Sequence, residues 1–199
     1  MRELLKLSLT LTIICCGAAL SLAYVYNLTK EPIAYQQRLK KIRAINAVFP
    51  ELEDAPGLQM VDFPLCEQNG DEADCRRFYL IKNNGSTLGT AFEVLASGYG
   101  GRIAIMVGIS RSDVISGIKV IRHSETPGLG ANISKQAYSK NFTGKNMINT
   151  RWKLKKNGGD IDQISGATIS SEAVMKAVHD GLHFFSRNRD NIMKAATDT

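Results

Sequence analysis

The segment DQISGATISSEAV, residues 162–174, crowds hydroxyl and very small side chains into the predicted start of a helix. A helix start exposes unpaired N–H groups and the positive end of the helix dipole, and both attract phosphate. Gly166 permits close backbone approach, and Thr168 presents a hydroxyl at that position. A helix that is merely capped by serine or threonine would also carry such residues. The residues alone therefore favour a phosphate site and a simple cap equally.

A second unusual segment, HSETPGLG at residues 123–130, interrupts the pattern of apolar strands. Its Pro127-Gly128 pair predicts the centre of a type II turn, because glycine accepts a positive φ there. The common nucleotide and hydrolase motifs, G-x-x-x-x-G-K-[ST], G-x-G-x-x-G and G-x-S-x-G, are absent from the sequence. The sequence therefore excludes a conventional nucleotide-binding loop and argues against an α/β-hydrolase.

Both segments resemble motifs of known families. Residues 162–170 match the D-x-x-[ST]-G-A-[ST]-x-[ST] signature of FMN-binding domains. Residues 123–130 resemble the H-x-E-T-P-G-L-G loop of the G subunit of Rnf/Rsx electron-transport complexes, and of the C subunit of sodium-pumping NADH:quinone reductase. The resemblance covers nearly the whole chain. The length of the chain is closer to that of the Rnf subunit than to that of the reductase subunit.

The resemblance implies a covalent cofactor. A flavin transferase would attach FMN through its phosphate to Thr168. Asp162 would serve recognition or activation during this attachment. The remaining residues of the phosphate site would be Ser165, Gly166, Ala167 and Ser170. The residues that line the isoalloxazine ring would be Glu125, Thr126, Gly128 and Leu129.

The resemblance also implies the function of a membrane-anchored flavoprotein subunit in an Rnf-type complex. Such a complex couples electron transfer between ferredoxin and NAD to the movement of sodium ions or protons. The chain would be one subunit of a translocase, would need other membrane subunits, and would have no complete activity alone. Two alternatives stay open, the C subunit of the sodium-pumping reductase and an anchored, non-redox binding or scaffold module.

The N-terminal residues 7–28 form a run of 22 residues without a charge. About 20 apolar residues span a bilayer core as a helix. The run is longer than the apolar region of a cleaved signal peptide, so we expect a retained anchor. The predicted organisation is a transmembrane anchor at 1–29, an amphipathic stalk helix at 30–50 whose first turn holds Pro32, and an FMN-binding domain at 51–199.

Two patterns disagree about the side of the membrane on which the domain lies. Basic residues follow the apolar run more densely than they precede it, and this count places the domain in the cytoplasm. Cys66 and Cys75 flank a polar segment that is predicted to be a loop, and a disulfide between them indicates an oxidising compartment. Two free thiols are the alternative. Together with the resemblance, the cysteines favour the periplasmic side of a bacterial inner membrane.

Other ligand classes are not supported by the sequence. The net charge is +6, but the basic residues are scattered among acids without interleaved aromatics, which argues against nucleic-acid binding. Two cysteines alone do not make a zinc or iron–sulfur site, and His179 and His183 lack a third ligand. His123 has two interpretations, a loop histidine bonded to backbone or a flavin contact. Tyr99 and Trp152 are interpreted as packing residues rather than flavin-stacking ones.

The apolar periodicity predicts an α+β fold, a twisted antiparallel sheet packed by helices. Residues 56–76 are predicted to be irregular, and Asn84-Gly85 to form a hairpin turn. The predicted strands are 78–82, 87–95, 103–109, 114–121 and an edge strand at 152–156, and the predicted helices are 134–138 and 170–186.

Overall fold

The structure is a computed structural model that describes residues 2–50, 58–69, 72–83 and 86–195. It divides into two compact units, Met1–Lys40 and Lys41–Thr199. The helices are α1 (Arg2–Val48), the short α2 (Gln136–Ser139) and α3 (Thr168–Ala195). The strands are β1 (Leu58–Asn69), β2 (Glu72–Asn83), β3 (Ser86–Ser97), β4 (Arg102–Ser110) and β5 (Ile115–Arg122).

Helix α1 contains the apolar run and continues without a break to Val48. By length and composition it is a candidate membrane span, and the residues of its apolar stretch are exposed in the isolated chain. The prediction of a separate stalk helix that starts near Pro32 was wrong, since Pro32 lies inside α1. Proline removes one backbone hydrogen bond, but the long runs of helix on both sides keep the helical path. Pro50 follows the end of the helix at Val48.

The five strands form one antiparallel sheet in the order β1-β2-β3-β4-β5, so each strand pairs with its neighbour along the chain. This arrangement is a meander, and it confirms the predicted antiparallel sheet and the four predicted strands between residues 78 and 121. The predicted turn at Asn84-Gly85 lies outside the described residues, between the paired ends Asn83 and Ser86. The meander brings the end of β3, the start of β4 and the end of β5 to the same end of the sheet.

The prediction of an irregular segment at 56–76 was wrong, because β1 and the first half of β2 lie there. β2 pairs with β3 only from Phe78 onward, so the preceding residues of the hairpin form a two-stranded arm that pairs with itself. Cys66 and Cys75 lie directly opposite each other in this arm and form a disulfide. Since an isolated hairpin is marginally stable in water, the cross-link explains how so polar a sequence holds strand structure.

Helix α3 covers one face of the sheet. It begins two residues earlier and extends further than the predicted helix at 170–186. Its predicted apolar face is confirmed, since Val174, Val178 and Leu182 are almost fully buried against the sheet. The ring of Phe184 stacks on Phe78 at 6.0 Å, and that of Phe185 stacks on Phe92 at 6.2 Å. These large apolar contacts fix the helix on β2 and β3.

The last turn of α1 covers the opposite face of the sheet. Val48 and Phe49 are buried there with Ala44 and Ile45, against a row of very small residues on β3, β4 and β5. Gly108 pairs with Gly117 on one side and Ala91 on the other. A Cβ at Gly108 would lie 2.7 Å from Val48 Cγ2, so only glycine lets the helix end approach this closely. The end of α1 therefore packs with the sheet in the compact unit Lys41–Thr199.

The connection between β5 and α3 is mostly irregular. A 3-10 turn at Gly130–Ser134 and α2 lie where one short helix was predicted. The predicted edge strand at 152–156 was wrong: Leu154 makes one isolated bridge to Ile161, and a 3-10 turn follows at Lys155–Asn157. Trp152 instead packs against Phe142 and His179. The apolar residues of this segment fill the end of the core rather than extend the sheet.

Removing the disulfide by the double change Cys66→Ser and Cys75→Ser is expected to lower the free energy of unfolding by about 2 kcal/mol, because the short closed loop no longer restricts the unfolded chain. Urea unfolding of the full chain in detergent, followed by fluorescence of the single tryptophan, measures this change. A reductant should destabilise the wild-type chain equally and leave the double variant unaffected. Equal stability of the wild-type chain and the double variant, each with and without reductant, would contradict the prediction.

Substituting Gly108→Ala is expected to cost about 1–3 kcal/mol, because its methyl group overlaps the Val48 side chain. The same urea experiment measures the loss. The matched control is Gly108→Ala in a Val48→Ala background, where the freed space should make the substitution markedly less costly. If Gly108→Ala costs the same in both backgrounds, the end of α1 does not lie on this glycine row.

Candidate functional site

The first turn of α3 forms one wall of the candidate site. The chain reaches it through a turn at Ser165-Gly166, where Gly166 has φ +74°. The amide of Ala167 donates to the carbonyl oxygen of Ile164 at 3.0 Å, and α3 begins at the next residue, Thr168. The first amides of an α-helix have no acceptor within the helix and lie at the positive end of its dipole. This arrangement suits an anionic group such as a phosphate.

The hydroxyl side chains in this first turn do different things. The buried Ser171 Oγ accepts a hydrogen bond from Ile164 N at 3.0 Å and donates to the carbonyl oxygen of Ala167 at 2.9 Å. The buried Ser170 Oγ donates to Glu125 Oε2 at 2.5 Å. Thr168 is half-buried, and its hydroxyl has no hydrogen-bond partner among the described residues. Of these three side chains, Thr168 alone keeps its hydroxyl available to a ligand.

The buried side chain of Tyr138 contacts the same turn of α3. Tyr138 donates from its hydroxyl to the carbonyl oxygen of Ser171 at 3.1 Å. Burial raises the pKa of Tyr138 well above its usual range, with a smaller opposing effect of this hydrogen bond. The phenol therefore stays protonated and remains a donor at any physiological pH. α2, which carries Tyr138, thus helps to hold the helix start.

The loop after β5 forms the opposite wall. The amide of Leu129 donates to the carbonyl oxygen of Thr126 at 3.3 Å, and Gly128 between them has φ +79°. This geometry confirms the predicted type II turn. The turn projects Leu129 towards Gly166, where a Cβ would lie 3.1 Å from Leu129 Cδ2. The two segments that the sequence singled out are therefore adjacent, although 31 residues, 131–161, separate them.

A cavity of about 470 Å³ lies between these walls. Three large side chains at its rim are unusually exposed, Tyr99 by 74%, Leu129 by 48% and Ile169 by 57%. Such side chains offer flat apolar surface to a ligand ring. The cavity is lined by Tyr99, Glu125, Thr126, Leu129, Gly130, Gly166, Ala167, Thr168, Ile169 and Ser170.

Most residues predicted to bind the cofactor line this cavity, but three do not. Asp162 forms an ion pair with Lys155 at 2.6 Å, Ser165 is exposed in the turn, and Gly128 is exposed at the tip of its loop. Their predicted roles stay predictions. Ile169 was not predicted to line the site, because it occupies a variable position of the signature, and Tyr99 was predicted to be a packing residue. The glycines that flank Tyr99 were the available signal that this ring is not buried.

Glu125 is the charged residue at the centre of the site, and it is only 5% exposed. Its Oε1 accepts a hydrogen bond from the amide of Gly100 at 2.9 Å, while Oε2 accepts from Ser170. His123 Nδ1 accepts from the amide of Glu125 at 3.2 Å, which is the backbone bond that one of its two interpretations predicted. The carboxylate therefore joins the β3–β4 turn to the first turn of α3.

The chemistry of these groups fits FMN. The α3 start with an available hydroxyl suits the phosphate, and the exposed apolar side chains suit the faces of a flat ring. The residues that would hold the phosphate are Gly166, Ala167 and Thr168, and those beside the ring are Tyr99, Leu129 and Ile169.

Comparisons with known families agree with the site. The family model described as the FMN-binding domain matches residues 98–183, and the model described as the RnfG N-terminal region matches residues 1–48. The G subunit of the ion-translocating oxidoreductase complex of Aliivibrio fischeri (strain MJ11) is 32% identical over 197 residues, covering 94% of this chain and 93% of its own. The G subunit of the complex of the same name from Shewanella amazonensis is 35% identical over 183 residues, with 87% and 83% covered.

A solved structure supports the fold. The crystal structure of Shewanella oneidensis NqrC superimposes with a TM-score of 0.59 over 73% of this chain and 91% of that chain, at 16% identity. At this identity the likeness concerns the fold alone, whereas the sequence relatives and the N-terminal model are G subunits. The chain therefore belongs to the family of G subunits of ion-translocating oxidoreductase complexes, with an FMN-binding domain behind a candidate membrane helix.

Proposed function

We propose that the chain is the membrane-anchored flavoprotein subunit of an Rnf-type complex and carries electrons on FMN attached covalently to Thr168. The complex links electron transfer between ferredoxin and NAD to ion translocation. The observation that carries this proposal is the available hydroxyl of Thr168, which lies in the cavity at the start of α3. Family membership and the apolar rim of the same cavity support it.

Attachment requires a phosphoester at Thr168. Its Oγ1 forms the new bond to phosphorus, the hydroxyl proton is lost to solvent or to a base of the enzyme, and a phosphorus–oxygen bond to a leaving group breaks. A flavin dinucleotide supplies such a leaving group as a nucleoside monophosphate, and a flavin transferase catalyses the exchange. The first-turn amides of α3 stabilise the added negative charge. The partial exposure of Thr168 gives the transferase access.

The remaining residues of the cavity position the ring. FMN bound there accepts and donates electrons through its isoalloxazine ring, while the protein determines the ring's surroundings. Leu129 and Ile169 lie on opposite walls and offer aliphatic surface, and Tyr99 offers an aromatic face. Because all three side chains are exposed, they leave the site open to an electron donor or acceptor in another subunit.

The membrane partners follow from the anchor. Helix α1 is a single candidate span within the described residues, and one helix cannot enclose an ion path. Ion movement therefore belongs to other membrane subunits, with which α1 associates. We place the FMN-binding domain on the periplasmic side of the inner membrane, since the Cys66–Cys75 disulfide suits an oxidising compartment. The basic residues after the apolar run oppose this orientation, but long domains cross the membrane despite such charges.

Replacing Thr168→Ala is expected to abolish covalent FMN, because no other first-turn hydroxyl is available. The full chain, produced together with its flavin transferase, is assayed by flavin fluorescence in a denaturing gel and by intact-mass spectrometry. Thr168→Ser keeps a hydroxyl and should retain the flavin.

The matched control for this experiment is Thr143→Ala, which removes an exposed hydroxyl far from the cavity and should load fully. Covalent flavin on the folded Thr168→Ala chain would refute attachment at this residue. Absence of covalent flavin on the wild-type chain, with the transferase active on another substrate, would refute covalent attachment altogether.

The proposed orientation is tested by fusing reporters after Thr199 in a bacterial host. A phosphatase that needs disulfides for activity is expected to be active there, because the fusion point lies outside the cytoplasm. The matched fusion of a galactosidase that works only in the cytoplasm should be inactive. The reverse pattern would place the domain in the cytoplasm.

A further inference from the structure

Glu125 is a buried carboxylate whose hydrogen bonds go to the protein itself. Of its two oxygens, one accepts from the amide of Gly100 and the other from the hydroxyl of Ser170. These partners belong to two segments far apart in the chain, the β3–β4 turn and the first turn of α3. Burial of a carboxylate is costly unless such donors are supplied, so the contacts define where both segments must lie.

Glycines make room for this carboxylate on two sides. A Cβ at Gly98 would collide with Glu125 Oε1, and one at Gly130 would lie 2.5 Å from Oε2 and 3.0 Å from Ser170 Oγ. Neither glycine has a positive φ, so space around Glu125 is what requires them. The carboxylate is therefore packed among the β3–β4 turn, its own loop and the first turn of α3.

Ser170 lies two residues after Thr168 in the same helical turn. A shift of Ser170 therefore moves Thr168, and small errors in the position of a nucleophile slow group transfer strongly. We propose that Glu125 is a positioning residue for flavin attachment: through Ser170 and Gly100 it holds the first turn of α3 against its own loop, residues 123–130, and the β3–β4 turn. It thereby presents Thr168 to the modifying enzyme. This inference rests on the proposed attachment at Thr168.

The geometry separates this role from that of a general base. A base for attachment must reach the proton of Thr168, whereas the Glu125 oxygens are bonded to Ser170 and Gly100. Glutamine has the same shape, and its carbonyl oxygen can accept from Gly100 while its amide group faces Ser170 Oγ, which also accepts. A positioning role therefore survives Glu125→Gln, and a base would not.

The test measures the rate of covalent loading of the purified full chain in detergent, with the flavin transferase and a flavin dinucleotide. Glu125→Ala should load at least about tenfold more slowly than wild type, because the helix start is no longer held. Glu125→Gln should load within about threefold of wild type and with the same pH profile. The matched control Glu172→Gln changes an exposed carboxylate of the same turn and should load normally.

Two loading results would overturn the proposal. Wild-type loading of Glu125→Ala would mean that Thr168 needs no positioning by this residue. Loading of Glu125→Gln as slow as that of Glu125→Ala would assign the effect to the charge rather than to the contacts. If Glu125→Ala does not fold, Ser170→Ala replaces it, since it removes one of the two contacts; slow loading supports the proposal and normal loading overturns it.

Hydrogen exchange of the Thr168→Ala chain tests the contacts without any flavin. Adding Glu125→Ala should speed exchange of the amides in residues 98–101 and 168–171 by about tenfold, whereas Glu125→Gln should change them little. Unchanged exchange would overturn the positioning role even if loading fell. If the wild-type chain proves to carry no covalent flavin, attachment at Thr168 fails while the exchange result still decides whether Glu125 holds these segments.

Discussion

The position of the candidate site depends on how closely α3 lies against β3. Gly181 permits this approach, since a Cβ there would lie 2.5 Å from Val94 Cγ1 and 2.8 Å from Phe92 Cε2. An α-helix is rigid over several turns, so contacts that fix its middle also fix its first turn. Thr168 is thereby held at the end of the sheet where β3 ends and β5 ends, next to the two loops that follow these strands.

The opposite face of the sheet is fixed by a similar constraint. The end of α1 lies on Gly108 and its neighbours as closely as α3 lies on β3. A sheet that is packed from both sides deforms little, and its strand ends therefore hold the loops at defined positions. In this fold the strands carry almost no chemistry themselves. They hold two loops beside the start of α3, and the residues of the candidate site lie on these three segments.

The sequence predicted those parts of the fold in which local pattern and tertiary packing agree. β3, β4 and β5 are buried and strongly apolar, and α3 shows one continuous apolar face, so each was found. β1 was missed although Val61, Phe63 and Leu65 alternate along it and pack against the core, because Pro64 and the polar residues after it interrupt the strand pattern. Pairing with β2 and the disulfide hold the strand together beyond this short apolar part. The continuity of α1 through Pro32 was missed for a related reason, since proline weakens a helix locally but long flanking runs override it.

In the candidate site, too, some residues could be predicted from sequence motifs and other contacts only from the folded structure. The signature identified Gly166, Ala167 and Thr168, because a close backbone approach and a hydroxyl at a helix start are properties of residue type and spacing. The contacts of Glu125 could not be identified in this way. Resemblance suggested a contact with the ring, which stays a prediction, whereas the distances to Gly100 and Ser170 depend on the folding of three distant segments. No spacing along the chain encodes such a contact.

A helix cap and a cofactor site seemed to be alternatives for the crowded hydroxyls at the start of α3, but the structure assigns them to different residues. Ser171 satisfies the backbone of the turn, as a cap does, and Ser170 bonds to the buried carboxylate. The hydroxyls of both serines are hydrogen-bonded within the protein. The hydroxyl of Thr168 has no such partner among the described residues. The crowded hydroxyls therefore divide the work: Ser171 bonds to the backbone of the turn, Ser170 bonds to Glu125, and Thr168 keeps the hydroxyl that faces the cavity.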